Sequence, residues 1–513
     1  MYKEKRTGIS WLLCLFLAVI SVSADSTNTE WTFPSLINAT LEDLQQGLSR
    51  GCFSSSDLVK TYQERIRQVQ SKVRAVTEIN PDALAIAASL DEERKAGGKR
   101  LGPLHGIPIL LKDNVATMDK MNNTAGSTLL LGAKVPHDST IARKLRDAGA
   151  IILGKANMDE WADFRSDIPT GYSPYGGQTY AAYYPNQSPS GSSCGSGVSA
   201  DLGLAFAAIG TDTGGSISYP SSINGIVGIK STVGLVSRHL VIPASEHRDS
   251  IGPMARTVRD AAHVLNAIAG PDPADNYTSA APFSTLPDYV AACDDKALQG
   301  ARIGVPYNVF NLSRGFEKDD TPQFVAFRNA LKIMEDAGAT IVEANFTRTG
   351  SDNSTSLDNL YTLGADLITD IPGYFAQLKE NDIWGTNFWD GALEKGPDGL
   401  LGALERHNLT AIATPTNFAP GMANHIGAPV VTVPLGYYPA NTSVESRKLQ
   451  NNGTLVWAAP SIPFAMSFVG RLWSEADLIG LAYSFEQKTR VRVQAKRIVM
   501  PEAEVTVSSS CYA

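Results

Sequence analysis

The apolar positions of the first hundred residues recur at helical spacing. Leu58, Tyr62, Ile66 and Val69 fall three or four residues apart, the interval at which side chains share one face of an α-helix. Thr40 with Asp43 and Ser54 with Asp57 have the spacing of capping boxes, in which each side chain satisfies the other residue's orphan amide, so helices are expected to begin just beyond Thr40 and Ser54. A third helix is expected from about Pro81, in its first turn, to a stop at Gly97-Gly98.

Strand and helix patterns then alternate. Ile107 to Leu111 and Ala150 to Leu153 are short continuous apolar runs of the kind that forms buried strands, with a helical pattern from Ser139 to Ala148 between them. Ala301 to Val305, Pro322 to Ala337 and Thr340 to Val342 repeat the strand, helix, strand order. This alternation predicts an α/β protein with a largely buried sheet. The run Leu202 to Ile209 reads as an apolar helix leading into a tight turn. No internal repeat and no Gly/Ser linker divides the chain, so residues 25–513 are expected to form one domain, with 271–417 a variable, polar and sequon-rich decoration of it.

The N-terminus changes the picture of where the protein works. Lys3, Lys5 and Arg6 precede an apolar stretch from Trp11 to Ile20 and the small-residue run Val22-Ser23-Ala24, the pattern of a cleaved signal peptide over residues 1–24. The stretch is shorter than the roughly 20 residues that span a bilayer. Secretion is also suggested by N-x-S/T sequons at Asn38, Asn122, Asn276, Asn311, Asn345, Asn353, Asn408, Asn441 and Asn452. Cys14 falls within the leader, so Cys52, Cys194, Cys293 and Cys511 remain, an even number for which three full disulfide pairings can be drawn.

Composition mostly excludes. The 513 residues are 43% hydrophobic with a net charge of -8 and no block of like charge, which argues against nucleic acid as a partner. No segment after the leader is apolar enough for stable membrane insertion. Histidines and cysteines are scattered without zinc-site spacing, so neither metal nor other cofactor is expected.

Three segments carry candidate chemistry. Gly102-Pro-Leu-His-Gly-Ile-Pro-Ile-Leu-Leu-Lys112 drives an apolar strand into a lysine. If buried, that amine is biased toward its neutral, basic form; if the strand ends in solvent, Lys112 is simply its first wet residue. Ser188-Pro-Ser-Gly-Ser192-Ser193-Cys194-Gly195-Ser196-Gly197 could hold a hydroxyl in unusual geometry or form a flexible loop. It also matches G-x-S-x-G around Ser193, but a nucleophile elbow should follow a hydrophobic strand, and Tyr184 to Ser190 is turn chemistry. Ile209-Gly-Thr-Asp212-Thr213-Gly214-Gly215-Ser216-Ile-Ser218 places small residues, and hence exposed backbone N–H groups, beside a serine, which suits either a developing oxyanion or a plain anion-binding turn.

In this order the three segments resemble the amidase signature family, and the resemblance continues through Asn224 to Ser237, Asp249 to Arg256, Ala428 to Pro434 and Phe468 to Arg471. It implies a single α/β domain with a mixed, twisted central β-sheet covered on both faces by helices. It also implies a Ser-Ser-Lys triad in which Ser216 is the acyl-enzyme nucleophile, Ser192 the bridging serine after a cis peptide bond, and Lys112 the base. The amides of Thr213, Gly214, Gly215 and Ser216 would form the oxyanion hole, with Asp212 and Ser193 supporting. Two departures stand out: Ser218 replaces an arginine usual in the family, and Cys194 replaces a glycine. Asp163-Phe-Arg165, Gly171-Tyr-Ser173, Gly177-Gln178 and Val233 to Ser237 are similar to the peptide amidase branch, which makes C-terminal peptide amides candidate substrates beside small carboxamides.

The implied activity is that of a secreted amidase whose partner is a small-molecule or peptide amide; oligomeric state is left open. A noncatalytic binding protein on the same scaffold, a lipid-amide hydrolase and an ammonia-supplying amidotransferase subunit are the competing readings.

Overall fold

A computed structural model describes residues 33–97, 101–164, 168–310, 316, 319–346, 353–378, 400–449 and 453–511. Residues 1–24, expected to be a leader, Arg165 and the sequons at Asn311 and Asn452 lie outside the described residues, as does the side chain of Asn353. Both capping boxes form. The Asp43 N–H donates to Thr40 Oγ1 at 3.2 Å and the Asp57 N–H to Ser54 Oγ at 3.1 Å, opening helices α1 (Leu41–Ser49) and α2 (Ser55–Val73). After β1 (Val76–Ile79), α3 runs Ala83–Lys95, with Gly97 at φ +64° just past its end.

The expected alternation follows, through β2 (Pro108–Lys112), α4 (Thr140–Asp147) and β3 (Ile151–Ala156). A small hairpin, β4 (Tyr172–Ser173) and β5 (Gly177–Gln178), leads to α5 (Cys194–Asp201), β6 (Ala207–Asp212), α6 (Ser218–Asn224), β7 (Val227–Lys230), β8 (Ser250–Ala255) and α7 (Val258–Ile268). The chain continues with β9 (Arg302–Val305), α8 (Pro322–Asp336), β10 (Thr340–Glu343), α9 (Asn353–Phe375), α10 (Leu400–Arg406), β11 (Ala411–Pro415) and α11 (Ala419–Ala423). It closes with β12 (Val430–Tyr437), the hairpin β13 (Glu445–Lys448) and β14 (Thr454–Ala458), β15 (Pro463–Val469) and α12 (Glu475–Thr489).

Eleven strands form one mixed sheet in the order β1-β3-β2-β6-β8-β7-β12-β15-β11-β9-β10. β2 lies parallel to both β3 and β6, whereas β8, β7, β12 and β15 are joined antiparallel. Helices flank the sheet in two groups. α5 and α6 touch each other and pack on β6 and β15, while α4, α7, α12 and α8 contact one another in sequence and pack on β3, β8 and β12. The protein is thus a single large α/β domain. Residues 271–417 do more than decorate it, since β9, β10 and β11 complete one edge of the central sheet.

One element differs from the sequence reading. Leu202 to Ile209 is not a helix: Leu202 caps α5, Gly203 at φ +58° ends it, and β6 begins at Ala207. A run buried on every side is apolar throughout in either conformation, so periodicity could not separate helix from strand. The helix is instead the serine and glycine cluster itself, and all eight residues of α5 are buried. Its glycines permit that approach, because a Cβ at Gly195 would fall 2.2 Å from the Ala75 carbonyl oxygen.

The C-terminal segment straps this arrangement together. Arg492 and Arg497 converge on Asp201 at the end of α5, with Nη–Oδ1 distances of 2.7 and 2.6 Å. Cys511 is bonded to Cys52, and Cys194 and Cys293 are buried free thiols, so only one of the pairs open to counting forms. The bridge spans 459 residues of sequence; restriction of the unfolded chain by a closure of that length corresponds to about 6 kcal/mol on chain entropy alone, and native disulfides typically deliver about 2–4 kcal/mol of it. Cys511→Ala is expected to lower Tm in nonreducing buffer by several degrees, and a reductant should lower the wild-type Tm to match; equal melting of wild type and variant would show the bridge to be absent.

Candidate active site

β2 ends by carrying Lys112 into the interior, where the residue is wholly buried rather than the first wet position of the strand. Its Nζ donates to Ser192 Oγ at 2.8 Å, to Thr211 Oγ1 at 2.8 Å and to the Thr211 carbonyl at 3.2 Å. Burial lowers its pKa to about 8, against the pull of the Asp159, Asp212 and Asp249 charges, which favour the ammonium. Burial alone does not single it out. Lys155 is equally buried and is likewise lowered to about 8, but it bonds the Val115 carbonyl and Asn123 Oδ1, with no serine among those partners. Lys112 differs by reaching a hydroxyl that lies beside a second serine.

That hydroxyl belongs to the turn before α5, where the Gly191–Ser192 peptide is cis and Ser192 is 2% exposed. The next residue, Ser193, joins this turn to the end of β6. Its N–H donates to the Ser216 carbonyl at 3.3 Å, and its Oγ donates to the Thr211 carbonyl at 3.1 Å while accepting the Thr211 N–H at 3.3 Å. Ser193 stands at the N-cap position of α5, where the elbow pattern would put its nucleophile, but no strand precedes it and its hydroxyl is held between two backbone groups of Thr211 rather than capping the helix.

β6 supplies the opposite wall. Asp212 is fully buried at its end and folds the following turn around its carboxylate: Oδ1 accepts the Gly215 N–H at 2.7 Å, and Oδ2 accepts the Ile217 and Ser218 N–H groups at 2.7 and 3.3 Å. Gly215 sits at φ +115°, and a Cβ there would fall 2.4 Å from the Tyr219 ring, so both backbone and space require glycine. Thr213 is tied to Asp249, whose other oxygen accepts the Ala244 and Ser245 amides at 2.7 and 3.0 Å. Within this turn Gly214 is exposed and Ser216 half-buried, which leaves them open to a substrate.

Of the four amides expected to face an oxyanion, one is otherwise engaged. The Gly215 N–H is committed to Asp212, while the amides of Thr213, Gly214 and Ser216 make no hydrogen bond to another described residue. Ser218, at the position of the missing arginine, is buried and donates its own N–H to Asp212, so the turn is braced without a guanidinium.

Lys112, Ser192, Ser193, Asp212 and Ser216 therefore meet as the motifs suggested. Sequence reasoning missed Thr211, which links Lys112, Ser193 and Asn114, although it stands inside the third segment. Asp249 lay in a run noticed only for its resemblance. Asp159 belongs to no motif, and no pattern marks it.

Comparison with known proteins bears on this constellation. The sequence profile of the amidase family matches residues 57–379. A putative amidase of Arthroderma benhamiae is 47% identical over 92% of this chain and 89% of its own. The crystal structure of the native peptide amidase of Stenotrophomonas maltophilia superposes with a TM-score of 0.76 at 34% identity, covering 92% of this chain and all of that one. An amidase family protein of Bacillus anthracis gives the same TM-score at 29% identity, over 91% of this chain and 93% of its own. The class is that of hydrolases acting on amides. The chain belongs to the amidase family.

Proposed function

We propose that the protein hydrolyses carboxamide C–N bonds through an acyl-enzyme on Ser216, with Ser192 and Lys112 relaying the proton. The observation that carries this reading is the 2.8 Å contact between a buried Lys112 Nζ and Ser192 Oγ, in a turn hydrogen-bonded to the Ser216 carbonyl. Neutral Lys112 takes the Ser192 proton as Ser192 takes that of Ser216. Ser216 Oγ then bonds to the carbonyl carbon, and the amides of Thr213, Gly214 and Ser216 face the developing oxyanion. The relay reverses to protonate the nitrogen as the C–N bond breaks, releasing ammonia or a small amine. Water, deprotonated along the same path, attacks the acyl carbon to free a carboxylate and restore Ser216.

Similarity to a peptide amidase supports C-terminally amidated peptides as the leading substrate class, with small carboxamides next. A fluorophosphonate should add one equivalent of mass to the protein, on the peptide containing Ser216; labelling elsewhere, or none in a protein that releases ammonia from amides, would defeat the assignment.

The Cys52–Cys511 bridge supports an oxidising compartment, in keeping with the N-terminal leader pattern. Among the sequons, Asn38, Asn276, Asn345, Asn408 and Asn441 are exposed, as glycan attachment requires. Asn122 is half-buried, its amide engaged with Glu78 and the Gly132 N–H, so it is the poorest acceptor of the six.

A further inference from the structure

Asp159 is a fully buried carboxylate that the relay above does not use. It follows β3, and its backbone N–H donates to the Ser192 carbonyl at 3.2 Å. Its carboxyl lies against the residue before Ser192: a Cβ at Gly191 would fall 2.0 Å from Asp159 Oδ2. Oδ1 accepts the Gly171 N–H at 2.8 Å. Oδ2 has no hydrogen-bond partner among the described residues, and the Cys194 thiol is among the groups that favour the charged carboxyl.

Three carboxylates act on the Lys112 ammonium, and they are not equivalent. Both oxygens of Asp212 are taken by amides of its own turn, and those of Asp249 by Thr213, Ala244 and Ser245. Asp159 alone of the three keeps an uncommitted oxygen, and its charge acts on Lys112 more strongly than the others. A buried carboxylate with a bare oxygen carries a desolvation penalty that a nearby positive charge offsets. Lys112 acquires that charge when it accepts the serine proton.

We propose that Asp159 is a positioning residue for the Lys112–Ser192 pair: it supports the Gly191–Ser192 peptide through its backbone and side chain, and supplies the counter-charge that stabilises Lys112 in its protonated state. The inference rests on the reading of Lys112 as the base. Burial and the neighbouring Asp163 push the Asp159 pKa up to about 7, against the Gly171 amide, Lys112 and Cys194, while Lys112 stands near 8. Both groups are buried and the charge of each acts on the other, so the two titrate as a coupled pair. The groups facing them are Asp163 and Cys194 on the Asp159 side, and Asp212, Asp249 and Cys194 on the Lys112 side.

The test reads Lys112 directly. In protein labelled with 13C at lysine Cε, the Lys112 signal is identified by its loss in Lys112→Met, and its titration is compared between wild type and Asp159→Asn. Removing the counter-charge should lower the Lys112 midpoint by about one unit or more, and the acid limb of kcat/KM should move to lower pH by the same amount. An unchanged midpoint in a folded variant would overturn the proposal, because a merely structural Asp159 would lower kcat without moving the titration. Should Asp159→Asn fail to fold, wild-type protein labelled with 13C at aspartate Cγ as well as lysine Cε still decides: a Lys112 shift that follows two steps, one coincident with the Asp159 carboxyl signal, supports the coupling, and a single independent step defeats it. A protein that shows the coupling but hydrolyses no amide would sink the proposed function and leave Asp159 as the partner of Lys112.

Discussion

Ser216→Ala is expected to reduce kcat/KM for ammonia release from an amidated peptide by about 10⁴-fold or more, and Lys112→Ala by a comparable factor, since residues that act as one unit are not additive. The double variant should therefore be little worse than either single one. The reason lies in the relay: without Lys112 the Ser192 hydroxyl has no base at 2.8 Å, and without Ser216 no atom remains to carry the acyl group. The pH profile gives the sign. Burial holds Lys112 near 8 rather than at the ordinary lysine value of 10.5, and the reactive form is the neutral amine. Hence kcat/KM should be low at acidic pH, rise through a midpoint near 8 and level off above it. Ammonia release measured across that range for wild type and both variants checks the assignment; a wild-type rate that falls between pH 6 and 9 would exclude Lys112 as the base.

Asp201→Ala is expected to destabilise the fold by about 3–5 kcal/mol, the loss typical when one partner of a buried charge cluster is removed and the other is stranded. Asp201 is wholly buried, and Arg492 and Arg497 reach it from the C-terminal segment with their side chains 16% and 9% exposed. Burial opposes the charged carboxyl, but the two guanidinium groups outweigh it and hold the Asp201 pKa below the ordinary carboxylate value. The variant would bury two cations without a counter-charge beside the end of α5, whose start carries Ser192 and Ser193. Urea denaturation followed by circular dichroism provides the measure. A change below about 1 kcal/mol would mean that the arginines find water instead, as at an exposed ion pair.

Features decided within a few residues were legible in the sequence. The capping boxes at Thr40 and Ser54, the strand entering Lys112 and the helix following Ser139 all form within about two residues of the expected positions, because cap spacing and apolar runs act over one or two turns of chain. Leu202 to Ile209 was misread because a segment surrounded by core has no polar face to report its period. The cysteine pairing could not be chosen by counting, since it depends on the C-terminal segment returning to the loop between α1 and α2. Asp159 was invisible for a related reason: its significance is that Gly191, 32 positions later in the sequence, leaves room for its carboxyl.

The sequence by itself determined which groups are available and in what order: a lysine at the end of an apolar strand, two serines in glycine-rich turns, and an aspartate placed to fold the second of those turns around its carboxylate. Only the tertiary structure decided what those groups are to one another. Lys112 meets Ser192 and Thr211 across 80 and 99 residues of chain, and its proton affinity is set by burial and by carboxylates on other elements. Desolvation and Coulomb energy depend on distance in space, and that distance exists only once β2, β6 and the turn before α5 have packed together.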